Sequence, residues 1–75
     1  MNRRLIVNAD DYGRTPSVSR GICDAHLNGL VTTTTVMINL PGALEDVRRG
    51  IERAPTLAYG VHLNLTCGKP LTPPD

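Results

Sequence analysis

The stretch IVNADDYG, from Ile6 to Gly13, decides the fold because an apolar run ends there in two adjacent carboxylates. Leu5, Ile6 and Val7 form a continuous apolar segment, which is typical of a strand that is buried on both faces of a parallel sheet. Aspartate is a poor strand residue, and two carboxylates side by side repel each other unless a positive charge lies near them. The stretch therefore predicts a buried first strand whose carboxyl end needs a positive partner.

Two helix patterns follow this strand. Residues 14–29, RTPSVSRGICDAHLNG, predict a helix with Thr15 as the N-cap, Pro16 at the first helical position and Gly29 as a C-terminal cap. Residues 41–55, PGALEDVRRGIERAP, predict a second helix, because acidic residues come early and arginines late, as the helix dipole prefers. Apolar residues recur at helical spacing in both segments. In the first they are Val18, Ile22, Ala25 and Leu30, and in the second Leu44, Val47 and Ile51 share one face.

Two further strands complete the alternation. Residues 31–39, VTTTTVMIN, are rich in β-branched residues, and residues 57–65, LAYGVHLNL, alternate apolar and polar positions. Strands that alternate with helices predict a parallel sheet with right-handed crossovers. Such a unit is either a small three-stranded layer or the first part of a larger barrel or doubly wound fold. Residues 66–75 are dense in Gly and Pro and predict a loop.

The composition excludes several function classes. Eight Lys and Arg against seven Asp and Glu give a formal net charge of +1, so no broad attraction to nucleic acid or to an anionic membrane is expected. The apolar run after Arg3 and Arg4 is too short for a signal peptide, and no segment could span a bilayer. Cys23 and Cys67 are expected to be free thiols, and the cytoplasm is the predicted location.

Polar side chains are predicted at the carboxyl ends of two strands. Asp10 and Asp11 end the first strand, and His62 and Asn64 lie near the end of the third. Sites in parallel α/β folds form at these ends, so the four groups are expected at one rim. Carboxylates and an imidazole can bind a divalent cation, whose charge would stabilise the acidic pair. Successive strand side chains point in opposite directions, so one aspartate is expected to bind metal while the other takes a proton from water.

Plainer interpretations apply to the same residues. Asp-Asp-Tyr-Gly is also good turn chemistry, and a lone histidine in a strand, such as His62, is more often packed or hydrogen-bonded than a ligand. An acidic pair after a first strand also occurs in response-regulator receiver domains, but those need an aspartate at the end of the third strand, and this chain has none there. His26 is assigned no role, and the threonines of residues 32–35 are expected to bond the backbone or line a rim.

Three segments, in this order and spacing, resemble a known family. They are LIVNADDYG at 5–13, NGLVTTTTVMIN at 28–39 and GVHLNLTCGKPL at 60–71. They are similar to the YdjC-like carbohydrate deacetylases, whose best-known members are the chitooligosaccharide (chitin disaccharide) deacetylases. The likeness covers essentially the whole chain, while family members are similar to one another over a much longer one. Residues 1–75 are therefore expected to be the amino-terminal fragment of a single (β/α)-barrel deacetylase domain.

The resemblance implies a fold, a reaction and residue roles. The fold is a distorted TIM-like (β/α) barrel, of which this α/β chain supplies the first βαβαβ units. The reaction is hydrolysis of the N-acetyl group of an N-acetylated amino sugar or chito-oligosaccharide, with release of acetate. By motif, Asp11 and His62 look like metal ligands, Asp10 like the general base, and Tyr12 and Asn64 like residues that line the sugar pocket. The family's third ligand is a histidine in a later motif, which this chain does not reach.

The resemblance also implies a cofactor and partners. Magnesium is the metal usually given for the family, and an Asp-His-His set would suit zinc or another transition ion at least as well. The expected partner is an N-acetylated sugar, without nucleic acid or membrane, and a homodimer is compatible with the family. The alternative is a truncated, non-catalytic fragment or an assembly unit, because two of three ligands and an open sheet edge would leave the 75 residues alone inactive.

Overall fold

The computed structural model describes residues 3–73, along which strands and helices alternate as the sequence predicts. The elements are β1 (Asn8–Tyr12), α1 (Pro16–Asn28), β2 (Thr33–Val36), α2 (Ala43–Arg53) and β3 (Ala58–Val61). The strands form one parallel sheet in the order β1-β2-β3, so the predicted α/β architecture with parallel strands is confirmed. The end of the predicted loop, residues 74 and 75, lies outside the described residues. Neither helix within residues 3–73 has the length and apolar character to cross a membrane.

Both helices lie on one face of the sheet, because α1 and α2 contact each other and both contact β1. This helix-covered face carries the side chains of Ala9, Tyr12, Thr34, Val36 and Tyr59. The Tyr12 and Tyr59 rings meet edge to face with centroids 5.3 Å apart, an arrangement worth about 0.5–1.5 kcal/mol beyond the buried area. The core cluster of buried residues consists of Tyr12, Ile22, Cys23, Val36, Ala54 and Leu57.

The other face of the sheet is called the open face, because neither described helix covers it. It carries Asn8 and Asp10 of β1 and Thr33 and Thr35 of β2, all of them exposed or half-buried. The four side chains are joined by hydrogen bonds from one strand to the next. The sheet therefore has an apolar side that packs and a polar side that bonds laterally.

Helix α1 begins as predicted. The Thr15 hydroxyl accepts a hydrogen bond of 3.1 Å from the Val18 amide, and Pro16 occupies the first helical position. A cap of this kind contributes about 1 kcal/mol. Of the apolar residues predicted at helical spacing, Ile22 is buried, whereas Leu30 lies beyond the end of the helix and is 77% exposed.

The buried face of α2 is not the apolar one. Leu44 and Ile51 are 55% and 52% exposed, while Ala43, Asp46 and Gly50 are buried. The reason is close approach of α2 to the sheet: a Cβ at Gly50 would overlap the Tyr12 hydroxyl and lie 2.5 Å from that of Tyr59. Small residues lie beneath the two rings, and Leu44 and Ile51 turn outward, whereas Val47 is half-buried and packs against the core.

All three strands are shorter than predicted, and β2 spans Thr33–Val36 instead of residues 31–39. Leu5 and Ile6 are each 75% exposed rather than buried on both faces, and β1 begins only at Asn8. Val7 still contacts β2, since its carbonyl accepts from the Thr33 amide at 3.2 Å. Strand β3 ends at Val61 instead of continuing to residue 65, and Leu65 is fully exposed.

A β-bulge interrupts β1 where the two aspartates lie. Ala9 pairs with Thr34 and Tyr12 pairs with Val36, so Asp10 and Asp11 together lie opposite the single residue between those partners. A bulge leaves one extra residue in its strand and breaks the alternation of side chains. As a result Tyr12, three residues after Ala9, shares the helix-covered face with it, and the aspartates are excluded from that face.

Candidate active site at the carboxyl ends of the strands

The structure brings Asp11 and His62 together at the carboxyl edge of the sheet. The Asp11 Oδ1 atom lies 3.3 Å from His62 Nδ1. His62 follows the last residue of β3, and its amide donates to the Val36 carbonyl at 3.0 Å, so the β2–β3 pairing fixes its height. Asp11 belongs to β1, two strands away. The expected convergence of these two side chains at one rim is therefore observed, whereas their roles stay predictions.

The second oxygen of Asp11 faces a cation from its own turn. Asp11 Oδ2 lies 3.5 Å from a guanidinium nitrogen of Arg14, and the Arg14 amide donates to the Asp11 carbonyl at 3.1 Å. Gly13 permits this turn with φ of +87°, and a Cβ there would lie 2.8 Å from that of Ala43. The Arg14 guanidinium thus places one positive charge beside the acidic pair, which lowers the repulsion between the adjacent carboxylates.

Asp11 has an uncommon backbone conformation. Its φ is +72°, and it is the only non-glycine residue among residues 3–73 with a positive φ. Aspartate tolerates this left-handed region better than most residues, whereas other side chains pay about 1–2 kcal/mol for it. Backbone strain of this kind is concentrated at functional sites. The conformation is also what the bulge requires, so it both directs Tyr12 into the core and holds the Asp11 carboxylate at the rim.

Asp10 lies on the open face beside this pair. Its Oδ1 atom accepts two hydrogen bonds, from Asn8 Nδ2 at 2.9 Å and from the Thr35 hydroxyl at 3.1 Å. The amide of Asn8 is itself held, because its oxygen accepts from the Thr33 hydroxyl at 2.7 Å. No hydrogen bond from residues 3–73 reaches Asp10 Oδ2, which leaves that oxygen available to a substrate or to water.

Asp11 and His62 fit two positions around a metal ion. His62 Nδ1 is buried and forms no aligned hydrogen bond despite its short distance to Asp11. A buried nitrogen without a partner is costly unless a ligand satisfies it. Two atoms that bind one ion at about 2.1 Å lie about 3.0–3.4 Å apart, which matches the observed pair. Within the described residues, no three His, Cys, Asp or Glu side chains cluster closely enough to hold a metal.

Tyr12 is not at this site, which corrects the prediction that it lines a sugar pocket. Its side chain is 1% exposed on the helix-covered face, and its hydroxyl donates to the Asp46 carbonyl at 2.5 Å. Burial and the nearby Cys23 thiol raise the pKa of Tyr12 far above its ordinary value, so the phenol stays neutral. The bulge is the physical reason, because it turns Tyr12 to the side opposite Asp10.

Asn64 lies beside His62 but is fully engaged within the chain. Its Nδ2 donates to the Asn39 side chain and to the Cys67 carbonyl, and its Oδ1 accepts from the amides of Thr66 and Cys67. An amide side chain has two donor and two acceptor positions, and all four are used here. Asn64 therefore shapes the loop after β3, and its predicted contact with a sugar stays a prediction. That loop, with Ile38 and Asn39, lines a groove of about 370 Å³ next to His62.

Sequence reasoning missed two hydrogen-bonded polar residues, Ser19 and His26, of which Ser19 supports the rim. Ser19 of α1 accepts from the Gly13 amide at 2.9 Å and donates to the buried Asp46 carboxylate at 3.2 Å, which ties the turn after β1 to both helices. A sequence signal for this contact was available, because Ala43, Asp46 and Gly50 recur at helical spacing and form a face of small residues on α2 that can approach Ser19 closely. His26, at the opposite edge, bridges the Val31 carbonyl and the Thr56 hydroxyl at 2.7 Å each, and no sequence pattern indicates this.

Comparison with known proteins gives consistent matches. Residues 4–75 match the family described as YdjC-like protein. The chain is 50% identical over 74 residues to the carbohydrate deacetylase of Enterococcus faecalis, with 96% of this chain and 28% of that protein covered. It is 51% identical over 69 residues to carbohydrate deacetylase 2 of Listeria innocua, with 92% and 27% covered.

A solved structure shares the fold. It is a protein of Enterococcus faecalis provisionally named as a cellobiose-phosphate cleavage protein, and it superposes with a TM-score of 0.88 at 48% identity. The match covers 97% of this chain and 29% of the solved one. The chain thus spans between a quarter and a third of the length of these relatives.

Proposed function

This chain belongs to the YdjC-like protein family, and on that premise we propose that it forms the amino-terminal part of a carbohydrate N-deacetylase. The enzyme hydrolyses the acetamide of an N-acetylated amino sugar or chito-oligosaccharide and releases acetate. The observation that carries the proposal is the meeting of Asp11 and His62 at the carboxyl edge, with Asp10 adjacent on the open face. The names of the two deacetylase relatives support the reaction.

The proposed whole-protein fold is a distorted TIM-like barrel. In such a barrel, helices cover the outer face of a parallel sheet and the sheet's other face lines the interior. This sheet likewise has one face that helices cover and one face that neither described helix covers. Barrel enzymes place their sites at the carboxyl ends of the strands, where Asp11 and His62 lie.

Each residue of the site has a distinct part in the reaction. Asp11 and His62 would hold a divalent cation, magnesium by family resemblance or zinc by ligand chemistry. When bound, the cation supplies polarisation of the acetamide carbonyl and acidification of the attacking water. Asp10 takes a proton from that water through its free Oδ2 atom. The water oxygen bonds to the carbonyl carbon, the carbon–nitrogen bond breaks, and an acid elsewhere in the protein protonates the leaving amine.

The first test is acetate release from N,N'-diacetylchitobiose by the protein expressed from its complete reading frame. Acetate should appear with the native protein, disappear after chelation, and return on addition of Mg²⁺ or Zn²⁺. Asp24→Asn is a matched control, because Asp24 forms a surface ion pair with Arg53 away from the site. A folded, metal-loaded protein that releases no acetate from this or other N-acetylated sugars contradicts the proposal.

A second arm of the assay uses cellobiose phosphate, because the solved relative carries a name for its cleavage. Release of a sugar phosphate without acetate from any amide would assign a glycosidic reaction instead. If neither reaction occurs in a correctly folded protein, the site serves binding alone, or the chain is the non-catalytic unit considered above.

A further inference from the structure

The four consecutive threonines of β2 and its approach divide into two pairs with different partners. Thr32 and Thr34 bond backbone carbonyls, that of Val7 just before β1 at 3.3 Å and that of Ala9 in β1 at 2.6 Å. Thr33 and Thr35 lie on the open face and bond side chains instead. Because strand side chains alternate, the second pair faces the polar residues of the neighbouring strand.

The bonds of this second pair form one connected path that ends on Asp10. The Thr33 hydroxyl donates to Asn8 Oδ1, which fixes the amide so that its nitrogen points to Asp10. Asn8 and Thr35 then donate to the same carboxylate oxygen, Asp10 Oδ1. Two donors on one oxygen fix the rotation of the carboxylate and leave the other oxygen free within the described residues.

We infer that Thr35 and Asn8 are positioning residues that orient the Asp10 carboxylate and present its Oδ2 atom to the reacting water, with Thr33 setting the Asn8 amide. The inference rests on the proposed deacetylase function and on Asp10 as its base. Neither Thr35 nor Asn8 touches substrate; both act through Asp10. Catalysis is sensitive to such support, because a base misplaced by a fraction of an ångström loses its reach to the proton.

The test compares three variants of the complete protein. Thr35→Val keeps the shape of the side chain and removes its hydroxyl, so kcat should fall about tenfold with KM changed less than about twofold. Thr35→Ser keeps the hydroxyl and should restore most of kcat. Thr34→Val is the matched control: it removes an equivalent hydroxyl on the helix-covered face, so it should lower the melting temperature and leave kcat unchanged.

A double variant separates positioning from general structural damage. In an Asp10→Asn background, Thr35→Val should lower kcat no further, because the residue acts only through Asp10. An additional tenfold loss in that background would overturn the inference. So would equal effects of Thr35→Val and Thr34→Val on kcat.

A crystal structure of Thr35→Val keeps the inference testable even if no acetate is ever detected. The inference expects the Asp10 carboxylate to rotate or to occupy two orientations once the Thr35 donor is lost. A carboxylate unmoved from its native orientation would overturn the positioning role. If the native protein is inactive but the Asp10 carboxylate rotates in the variant, the proposed function is contradicted and the positioning role is supported.

Discussion

The two faces of the sheet differ in where their polar side chains form hydrogen bonds. On the helix-covered face, the buried Thr34 and Tyr12 hydroxyls bond backbone carbonyls, those of Ala9 and Asp46. On the open face, Thr35 bonds the side chain of Asp10. A buried hydroxyl that satisfies a backbone carbonyl stabilises the fold, whereas side chains that bond one another can orient a reactive group. In this short sheet, the helix-covered face therefore stabilises the fold, and the open face carries the side chains that can take part in a reaction.

The bulge in β1 is what keeps the two faces distinct. Without the extra residue, strict alternation would place Tyr12 on the open face with Asp10 and turn Asp11 toward the helices. The positive φ of Asp11 absorbs the change in direction. Substitutions of the two aspartates are therefore expected to have the largest effects, and substitutions on the helix-covered face the smaller ones.

The largest expected effect comes from Asp11→Asn. Asparagine tolerates a positive φ, so the bulge should persist while the charge beside His62 is lost. In the proposed mechanism both water activation and carbonyl polarisation depend on Asp11 as a metal ligand, so kcat/KM should fall about 10⁴-fold or more. Calorimetric titration with Mg²⁺ and Zn²⁺ should show lost or much weaker binding, at a melting temperature close to native. Undiminished metal binding would exclude Asp11 as a ligand.

Asp10→Asn should sharpen the difference between the two aspartates. It removes the proposed base and keeps the site's shape, so kcat should fall about 10²–10⁴-fold. Metal affinity measured by the same titration should stay within a few-fold of native, in contrast to Asp11→Asn. Full activity in this variant would show that another group takes the proton.

Gly50→Ala tests the packed face. The added Cβ meets the Tyr12 and Tyr59 hydroxyls, and overpacking of this kind costs about 1–3 kcal/mol of unfolding free energy. Denaturant titration should show the loss, while kcat well below the melting temperature stays near native. Gly21→Ala is the matched control, since nothing lies within 4 Å of its Cβ position and a helical Gly-to-Ala change stabilises by about 0.5–1 kcal/mol. Equal effects of both variants would contradict the close approach of α2.

The smallest expected effect is that of Tyr12→Phe. It removes one hydrogen bond to the Asp46 carbonyl and should cost about 0.5–1.5 kcal/mol. The pKa of Tyr12 is raised in the folded protein, so its contribution is constant at neutral pH and is lost as pH rises above about 10, where the unfolded phenol ionises. Stability measured across that range should therefore fall less steeply in the variant. A large loss of kcat would show that Tyr12 contacts the substrate after all.

Local patterns predicted some parts of the molecule well. The Thr15 cap follows from residue preferences at helix ends, and the parallel sheet follows from the alternation of strand and helix patterns along the chain. The meeting of Asp11 and His62 follows from the rule that parallel strands end at the same edge. The exposed face of α2 and the burial of Tyr12 could not be predicted this way, because apolar spacing does not reveal how closely a helix approaches its sheet.

The sequence by itself determined the element order, the parallel sheet and the strand ends at which Asp10, Asp11 and His62 lie. Those features depend on propensity and period, which are properties of neighbouring residues. Only the tertiary structure decided which way each side chain faces after the bulge, and that Asn64 is used within its own loop. The direction of the side chains after the bulge depends on contacts between distant residues, above all the packing of Tyr12 and Tyr59 over Gly50. Such contacts gain their free energy only when the whole sheet and both helices are assembled.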